Sequence, residues 1–88
     1  MTTRQLIVVN ELGLHARAAA RFVSVAGRFR SQIRVTRGQR TMDGKSILGL
    51  LLLAAARGSG LTITADGPDE AEAIAALGLL VERGFEEA

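Results

Sequence analysis

The sequence predicts a small α+β domain in which helices cover one face of a β-sheet. Short segments alternate apolar and polar residues, which is typical of strands with one buried face, and alanine- or leucine-rich segments with helical spacing lie between them. The predicted order is β-α-β-β-α-β-α. The 88 residues contain no internal repeat and no linker, so we expect one domain over residues 1–88 with its helices together on the buried face.

The first two predicted elements are a strand and a helix. The β-branched segment RQLIVVN (4–10) predicts the strand, and a glycine in ELGLH (11–15) interrupts its pattern. From Ala16 to about Gly27 the chain is rich in alanine, and Gly27 is a candidate C-cap. The inner face of this helix is expected to consist of Ala19, Phe22, Val23 and Ala26.

A hairpin and a second helix follow. QIRVT (32–36) alternates strictly, and a turn leads into RTMD (40–43), so the two strands are expected to pair. Ser46 stands where an N-cap belongs. The apolar segment ILGLLLLAAAR (47–57) then predicts a short helix that ends at Gly58.

The C-terminal third predicts a strand and a final helix. LTITAD (61–66) alternates again and ends in a turn at Asp66-Gly67-Pro68. Asp69 and Glu72 have the spacing of a capping box, in which acidic side chains meet a helix N-terminus. The helix is predicted to run to about Arg83. Its inner face is expected to consist of Ile74, Leu77 and Val81.

Composition and charge exclude several classes of protein. There are no cysteines, so a disulfide framework and a thiolate metal site are both ruled out. The longest apolar run (47–56) has ten residues, whereas a bilayer span needs roughly 20, and the N-terminal stretch LIVV is too short for a signal peptide. We therefore expect a cytoplasmic protein without membrane insertion.

Charge is distributed unevenly along the chain. Residues 1–57 carry ten basic and two acidic side chains, whereas residues 58–88 carry one basic and seven acidic ones. A basic segment is compatible with nucleic acid, but there are only three aromatic residues and no recognisable nucleic-acid-binding motif. An acidic protein surface or a phosphate group is an equally good partner for these arginines.

The only histidine, His15, lies directly before the first predicted helix. A lone histidine is most often a surface or satisfied core residue, but here the backbone N–H groups of Ala16 and Arg17 have no intrahelical acceptor. Those donors and the Arg17 guanidinium form an anion site, and Gly13 permits the bend that presents the ring. Positive surroundings favour a neutral, nucleophilic imidazole, so the site favours accepting a phosphoryl group. We expect no metal, because one imidazole beside an arginine is not a ligand set.

Two motifs carry a family resemblance. GLHAR at 13–17, followed by AA, and KSILGL at 45–50 resemble the signatures of the histidine-containing phosphocarrier (HPr/NPr) family of the bacterial phosphoenolpyruvate-dependent phosphotransferase system. The resemblance covers nearly the whole chain in element order, length and histidine-to-serine spacing. It implies an open-faced β-sandwich, with a four-stranded antiparallel sheet and three helices on one face. It also implies a phosphoryl carrier without independent turnover and without a cofactor.

The resemblance assigns roles to three positions. His15 would accept a phosphoryl group from Enzyme I, which takes it from phosphoenolpyruvate, and would pass it to IIA-type domains, while Arg17 would stabilise the phosphate. The family usually has proline after this arginine, where this chain has Ala18, and the change adds a backbone donor and removes rigidity. Ser46 would be phosphorylated by an ATP-dependent HPr kinase/phosphorylase, which hinders transfer, although serine before a helix is also an ordinary cap.

The second helix is too apolar to bury its whole circumference. One flank is therefore expected to be partly exposed and to dock Enzyme I, IIA-type domains and the kinase, as the resemblance implies. This flank consists of Ile47, Leu48 and Leu51. A basic rim facing acidic partners is expected from Arg21, Arg28 and Arg57.

Alternatives to a carrier in sugar uptake remain open from the sequence. Within the family, a nitrogen-related branch regulates instead of feeding sugar uptake. From other classes, the chain could be a small basic nucleic-acid-binding module, or an interaction domain in which His15→Ala leaves function intact. For the carrier we expect a monomer.

Overall fold

The described residues of the chain form four strands and three helices in the predicted order. The computed structural model describes residues 1–87. The strands are β1 Thr2–Ile7, β2 Gln32–Arg37, β3 Arg40–Asp43 and β4 Gly60–Asp66. The helices are α1 Ala16–Ala26, α2 Ile47–Leu52 and α3 Glu70–Glu82, and a 3₁₀ segment at Gly84–Glu86, which we call the C-terminal turn, follows them. Within residues 1–87, no helix is long and apolar enough to cross a bilayer.

All strand pairs are antiparallel, and the sheet order is β1-β4-β2-β3. Alternate residues of β2 and β4 point inward, as the sequence predicts, and the helices supply the opposite wall of the core. The predicted inward residues that are buried are Ile33, Val35, Leu61, Ile63 and Ala65 from the strands, and Ala19, Phe22, Ala26, Ile74, Leu77 and Val81 from the helices. Val23, also predicted to face inward, is only half-buried. Helix α1 contacts α2, α3 and the C-terminal turn, and this packing determines the position of its N-terminus.

Strand β1 lies earlier in the chain than the predicted range of 4–10. It pairs with β4 from Thr2 opposite Ala65 to Ile7 opposite Gly60, where β4 begins. Beyond that point Val8 forms backbone hydrogen bonds with the loop that precedes β4. Its N–H donates to the Ser59 carbonyl, and its carbonyl accepts from the Gly58 N–H. The length of the partner strand, rather than β propensity, therefore ends β1.

Helix α2 is shorter than the predicted range of 47–57. It ends at Leu52, with Leu53 as its C-cap, and Ala54 adopts a left-handed backbone with φ of +50°. The next residue, Ala55, is buried, and its carbonyl accepts a hydrogen bond from the Leu14 N–H at 2.9 Å. This tertiary contact outweighs the helix propensity of the alanines, and it ties the end of α2 to the loop that carries His15.

The predicted capping box at Asp69 and Glu72 is wrong. Asp69 is the N-cap residue of α3, but its side chain makes no cap hydrogen bond. Its carboxylate instead accepts from the Ser31 hydroxyl and from the backbone N–H groups of Arg30 and Ser31, and these bonds lower its pKa to about 2. Asp69 thus joins α3 to the start of β2 rather than closing its own helix.

Candidate functional site around His15

A tight loop positions His15 between β1 and α1. Gly13 has a φ of +67°, and its N–H donates to the Asn10 carbonyl at 3.1 Å while its own carbonyl accepts from the His15 N–H at 3.0 Å. A Cβ at this position would lie 2.5 Å from the Ala55 carbonyl oxygen, well inside van der Waals contact. Glycine is therefore required twice, for the left-handed backbone and for the close approach of the 53–56 segment.

His15 is the N-cap residue of α1, as predicted. Its backbone is extended, with φ of −83° and ψ of −179°, and its ring atom Nδ1 accepts a hydrogen bond from the Arg17 N–H at 3.3 Å. Its side chain is 27% exposed. The imidazole therefore lies across the positive end of the helix, with Nδ1 toward the free backbone donors.

The other ring nitrogen has a partner that sequence reasoning missed. Nε2 of His15 lies 2.7 Å from Oε2 of Glu87, which is 72 positions away in the sequence. The second oxygen of this carboxylate, Oε1, accepts from Nδ2 of Asn10 at 2.6 Å. No local sequence motif predicts such a contact. Its only sequence signal is that the acidic C-terminal segment complements the basic N-terminal one.

Glu87 is an ionised partner in this arrangement. Burial raises its pKa, but hydrogen bonds from Asn10 and His15 and the charges of His15 and Arg21 outweigh that effect, so the net pKa is lower than usual. The carboxylate is thus negatively charged at neutral pH. The surroundings of the ring are therefore not uniformly positive, in contrast to those predicted from the sequence.

A strained backbone brings Glu87 to the histidine. All three residues of the C-terminal turn have positive φ, +62° at Gly84, +56° at Phe85 and +63° at Glu86. The Phe85 side chain is completely buried in the core, and its carbonyl accepts from Nη1 of Arg21 at 2.7 Å. Arg21 was predicted to belong to a free basic rim, but its half-buried guanidinium binds this turn instead.

Arg17 and the first turn of α1 supply positive groups beside Nδ1. Within residues 1–87 the exposed Arg17 side chain makes no hydrogen bond or ion pair, so its guanidinium is available to an incoming anion. The Ala16 N–H, at the first position of the helix, has no intrahelical acceptor. Ala18, in the first turn of the helix, is completely buried.

Part of the predicted apolar flank of α2 is exposed. Ile47 is 43% and Leu48 is 68% exposed, whereas Leu51 is half-buried and packs against the core. Leu52, which was not among the residues predicted for this flank, is 50% exposed. We call Ile47, Leu48 and Leu52 the α2 apolar patch. Beyond it, a shallow open depression beside His15 is lined by Leu12, Leu14 and residues 54–56, so apolar surface continues to the histidine.

Ser46 is the N-cap of α2, as predicted. Its Oγ accepts from the Gly49 N–H at 3.0 Å, and the residue is half-buried. Arg28 and Arg57, the other members of the predicted rim, are exposed. Ser46 therefore has a structural role that is independent of any modification.

Comparison with known proteins identifies the family. The family model described as "PTS HPr component phosphorylation site" matches residues 2–83. Phosphocarrier protein HPr of Cupriavidus necator is 47% identical to this chain over 87 residues, and the match covers 99% of this chain and 98% of the relative. Phosphocarrier protein HPr of Pseudomonas aeruginosa is 46% identical over 88 residues, with the same coverage of both chains. A crystal structure of HPr from Thermoanaerobacter tengcongensis superposes with a TM-score of 0.96 at 41% identity and covers 100% of this chain and 99% of that one. The chain therefore belongs to the HPr family and is a phosphocarrier of the phosphotransferase system, which carries a phosphoryl group and does not itself catalyse a reaction.

Proposed function

We propose that Nδ1 of His15 is the atom that accepts and releases the phosphoryl group. The observation that carries this proposal is the orientation of the ring, whose Nε2 lies on the Glu87 carboxylate while Nδ1 faces the N-terminus of α1. A negatively charged phosphoryl group would be repelled on the Nε2 side and stabilised on the Nδ1 side. The fold therefore distinguishes the two ring nitrogens by charge.

Arg17 contributes to this site in two ways. Its backbone N–H, held at 3.3 Å from Nδ1, makes a long hydrogen bond that a phosphoryl oxygen can replace. Its exposed guanidinium is free to swing onto the same oxygens and to follow the group to the next protein. The Ala16 N–H adds a second backbone donor. These groups stabilise the negative charge of the phosphoryl oxygens during transfer.

We further propose that Enzyme I and IIA-type domains dock on the α2 apolar patch and the depression beside His15. Exposed leucines next to a reactive group form the kind of apolar centre that protein interfaces use. Exposed Arg28 and Arg57 supply positive charge for acidic partners. We expect this exchange to take place in the cytoplasm. We also expect the protein to be a monomer, and sedimentation of the purified protein can check its oligomeric state.

Ser46 is proposed as a regulatory site for an HPr kinase/phosphorylase. A phosphate there would place negative charge directly beside Ile47 and Leu48 of the apolar patch. The same phosphate would also alter the Oγ contact with the Gly49 N–H. Incubation with ATP and the kinase should label the protein but not Ser46→Ala, and Ser24→Ala, at an exposed serine of α1, should be labelled normally.

The acceptor assignment is tested by incubation with Enzyme I and phosphoenolpyruvate. We expect one acid-labile, base-stable phosphate on the protein and none on His15→Ala. Arg17→Ala should slow transfer by at least on the order of tenfold, because it removes a donor to the phosphoryl oxygens. The matched control is Arg34→Ala, at an exposed arginine of β2, which should transfer at the normal rate. Labelling that persists in His15→Ala would refute the assignment.

The docking surface is tested separately. Leu48→Asp should weaken binding to Enzyme I while leaving the fold intact, because Leu48 is 68% exposed. Leu79→Asp makes the same change at a 49% exposed leucine of α3, away from the patch. Equal loss of binding in both variants would contradict the proposed surface.

A further inference from the structure

We propose that Glu87 is a positioning residue for His15, whose carboxylate holds the proton of the neutral ring on Nε2 and leaves Nδ1 free as the nucleophile. The inference rests on the proposed function, since the location of this proton matters only if the ring accepts a phosphoryl group. It adds a residue near the C-terminus to a site that the sequence places wholly in residues 13–17.

Both contacts of the ring require the same tautomer. A neutral imidazole carries one N–H, and its other nitrogen can only accept a hydrogen bond. Oε2 of an ionised Glu87 is an acceptor only, so at 2.7 Å it requires the proton on Nε2. The Arg17 N–H is a donor, so its approach to Nδ1 requires a lone pair there. The tautomer with a nucleophilic Nδ1 satisfies both contacts, and the other tautomer satisfies neither.

The carboxylate itself is fixed in place. Nδ2 of Asn10 donates to Oε1 of Glu87 at 2.6 Å and to the Gly13 carbonyl at 2.8 Å. Asn10 is only 8% exposed and Glu87 has a side-chain exposure of 16%. One amide thus links the carboxylate to the loop that carries the histidine. A carboxylate that orients a histidine in this way is a recurring device in zinc sites and in serine hydrolases.

The backbone leading to Glu87 supports a specific role. Left-handed conformations are energetically unfavourable at non-glycine residues. The chain accepts two in succession, at Phe85 and Glu86, immediately before Glu87. Burial of Phe85 and the bond from Arg21 to its carbonyl hold this geometry. Backbone strain that the rest of the fold maintains is concentrated at functional sites, and here its result is the placement of one carboxylate.

The same contact has a role during transfer. The Nδ1 lone pair forms a bond to phosphorus, and the bond between phosphorus and the donor breaks, with its electron pair remaining on the donor. The Nε2 proton stays on the ring, so the ring gains positive charge as the new bond forms. The Glu87 carboxylate, 2.7 Å away, offsets that charge without taking the proton. No other reactant is needed.

Two variants test the role of Glu87. Glu87→Gln keeps the length of the side chain but removes its charge, and its amide can offer the ring either a donor or an acceptor. Glu86→Gln is the matched control, because it removes the same charge from the exposed neighbouring residue. Two quantities are measured in the full-length protein, namely the ¹⁵N chemical shifts of the neutral ring, which report the tautomer, and the rate of transfer from phosphorylated Enzyme I.

We expect Glu87→Gln to shift the ring toward a mixture of tautomers and to slow transfer by roughly tenfold or more, as for other carboxylates that orient a histidine. Glu86→Gln should match the wild type in both measurements. Unchanged ring shifts in Glu87→Gln would overturn the inference, even if transfer slows, because Glu87 would then act on the partner rather than on the ring. A wild-type protein that Enzyme I fails to label would instead refute the proposed function.

Discussion

Replacement of Gly13 by alanine should destabilise the protein more than the same change at another left-handed glycine. The new Cβ would meet the Ala55 carbonyl oxygen at 2.5 Å and the Ala56 Cα at 3.0 Å. The backbone, with φ of +67°, adds a penalty of roughly 1–2 kcal/mol. Overpacking of this kind costs about 1–3 kcal/mol, so the total loss of unfolding free energy should be about 2–5 kcal/mol.

Gly38 provides the control for this prediction. Its φ is +60°, but a Cβ there meets nothing within 4 Å, so Gly38→Ala should show the backbone penalty alone. Urea unfolding of both variants gives the two free energies, and each kcal/mol should also lower Tm by about 4–8 °C. Transfer to His15 should fall in Gly13→Ala only, because the His15 N–H binds the Gly13 carbonyl. Equal destabilisation of the two variants would refute the argument from close approach.

Three further predictions concern groups outside the histidine loop. Phe85→Ala should lower the unfolding free energy by about 3–5 kcal/mol, because it empties a fully buried site, and unfolding by urea measures the loss. Ser46→Ala should cost about 0.5–2 kcal/mol as a lost cap, whereas Ser46→Gly should cost only a few tenths, and equal losses would contradict the capping role. The pKa of Asp69 is lowered from 3.8 to about 2, so its contribution to stability is present above 3.8 and is lost as the pH falls toward 2. Asp69→Asn should therefore flatten the acid limb of the stability profile, and an unchanged limb would show that the carboxylate does not contribute.

The sequence pattern predicted those helices and strands whose bounds depend on residues close together in the chain. β3 has the predicted bounds, and alternation at Ile33 and Val35 identified the buried face of β2. The start of α1 at Ala16, directly after His15, also followed from the sequence. In each of these cases the residues that decide the structure are neighbours in the chain. The exposure of Leu48 was predictable as well, because a short apolar helix cannot bury its whole circumference.

The features that were missed depend on distant residues. Helix α2 ends early because the Ala55 carbonyl accepts a hydrogen bond from the Leu14 N–H. The Asp69 carboxylate does not cap its own helix because it accepts hydrogen bonds from the N–H and hydroxyl of Ser31. The contact between His15 and Glu87 needs a left-handed turn, which the sequence FEE does not favour. Buried Phe85 determines that turn, and its burial follows from the complete core rather than from its neighbours. The histidine was therefore predictable, but the carboxylate beside it was not.

The sequence separation between His15 and Glu87 links phosphate-carrying competence to the completion of folding. A nascent or partly unfolded chain already contains its imidazole and its arginine, but the ring lacks its carboxylate until α3 has packed and the C-terminal turn has closed. Fraying of the last few residues would have the same effect while leaving most of the core intact. On the proposed role of Glu87, a chain that has not closed its C-terminal turn would therefore transfer phosphate slowly.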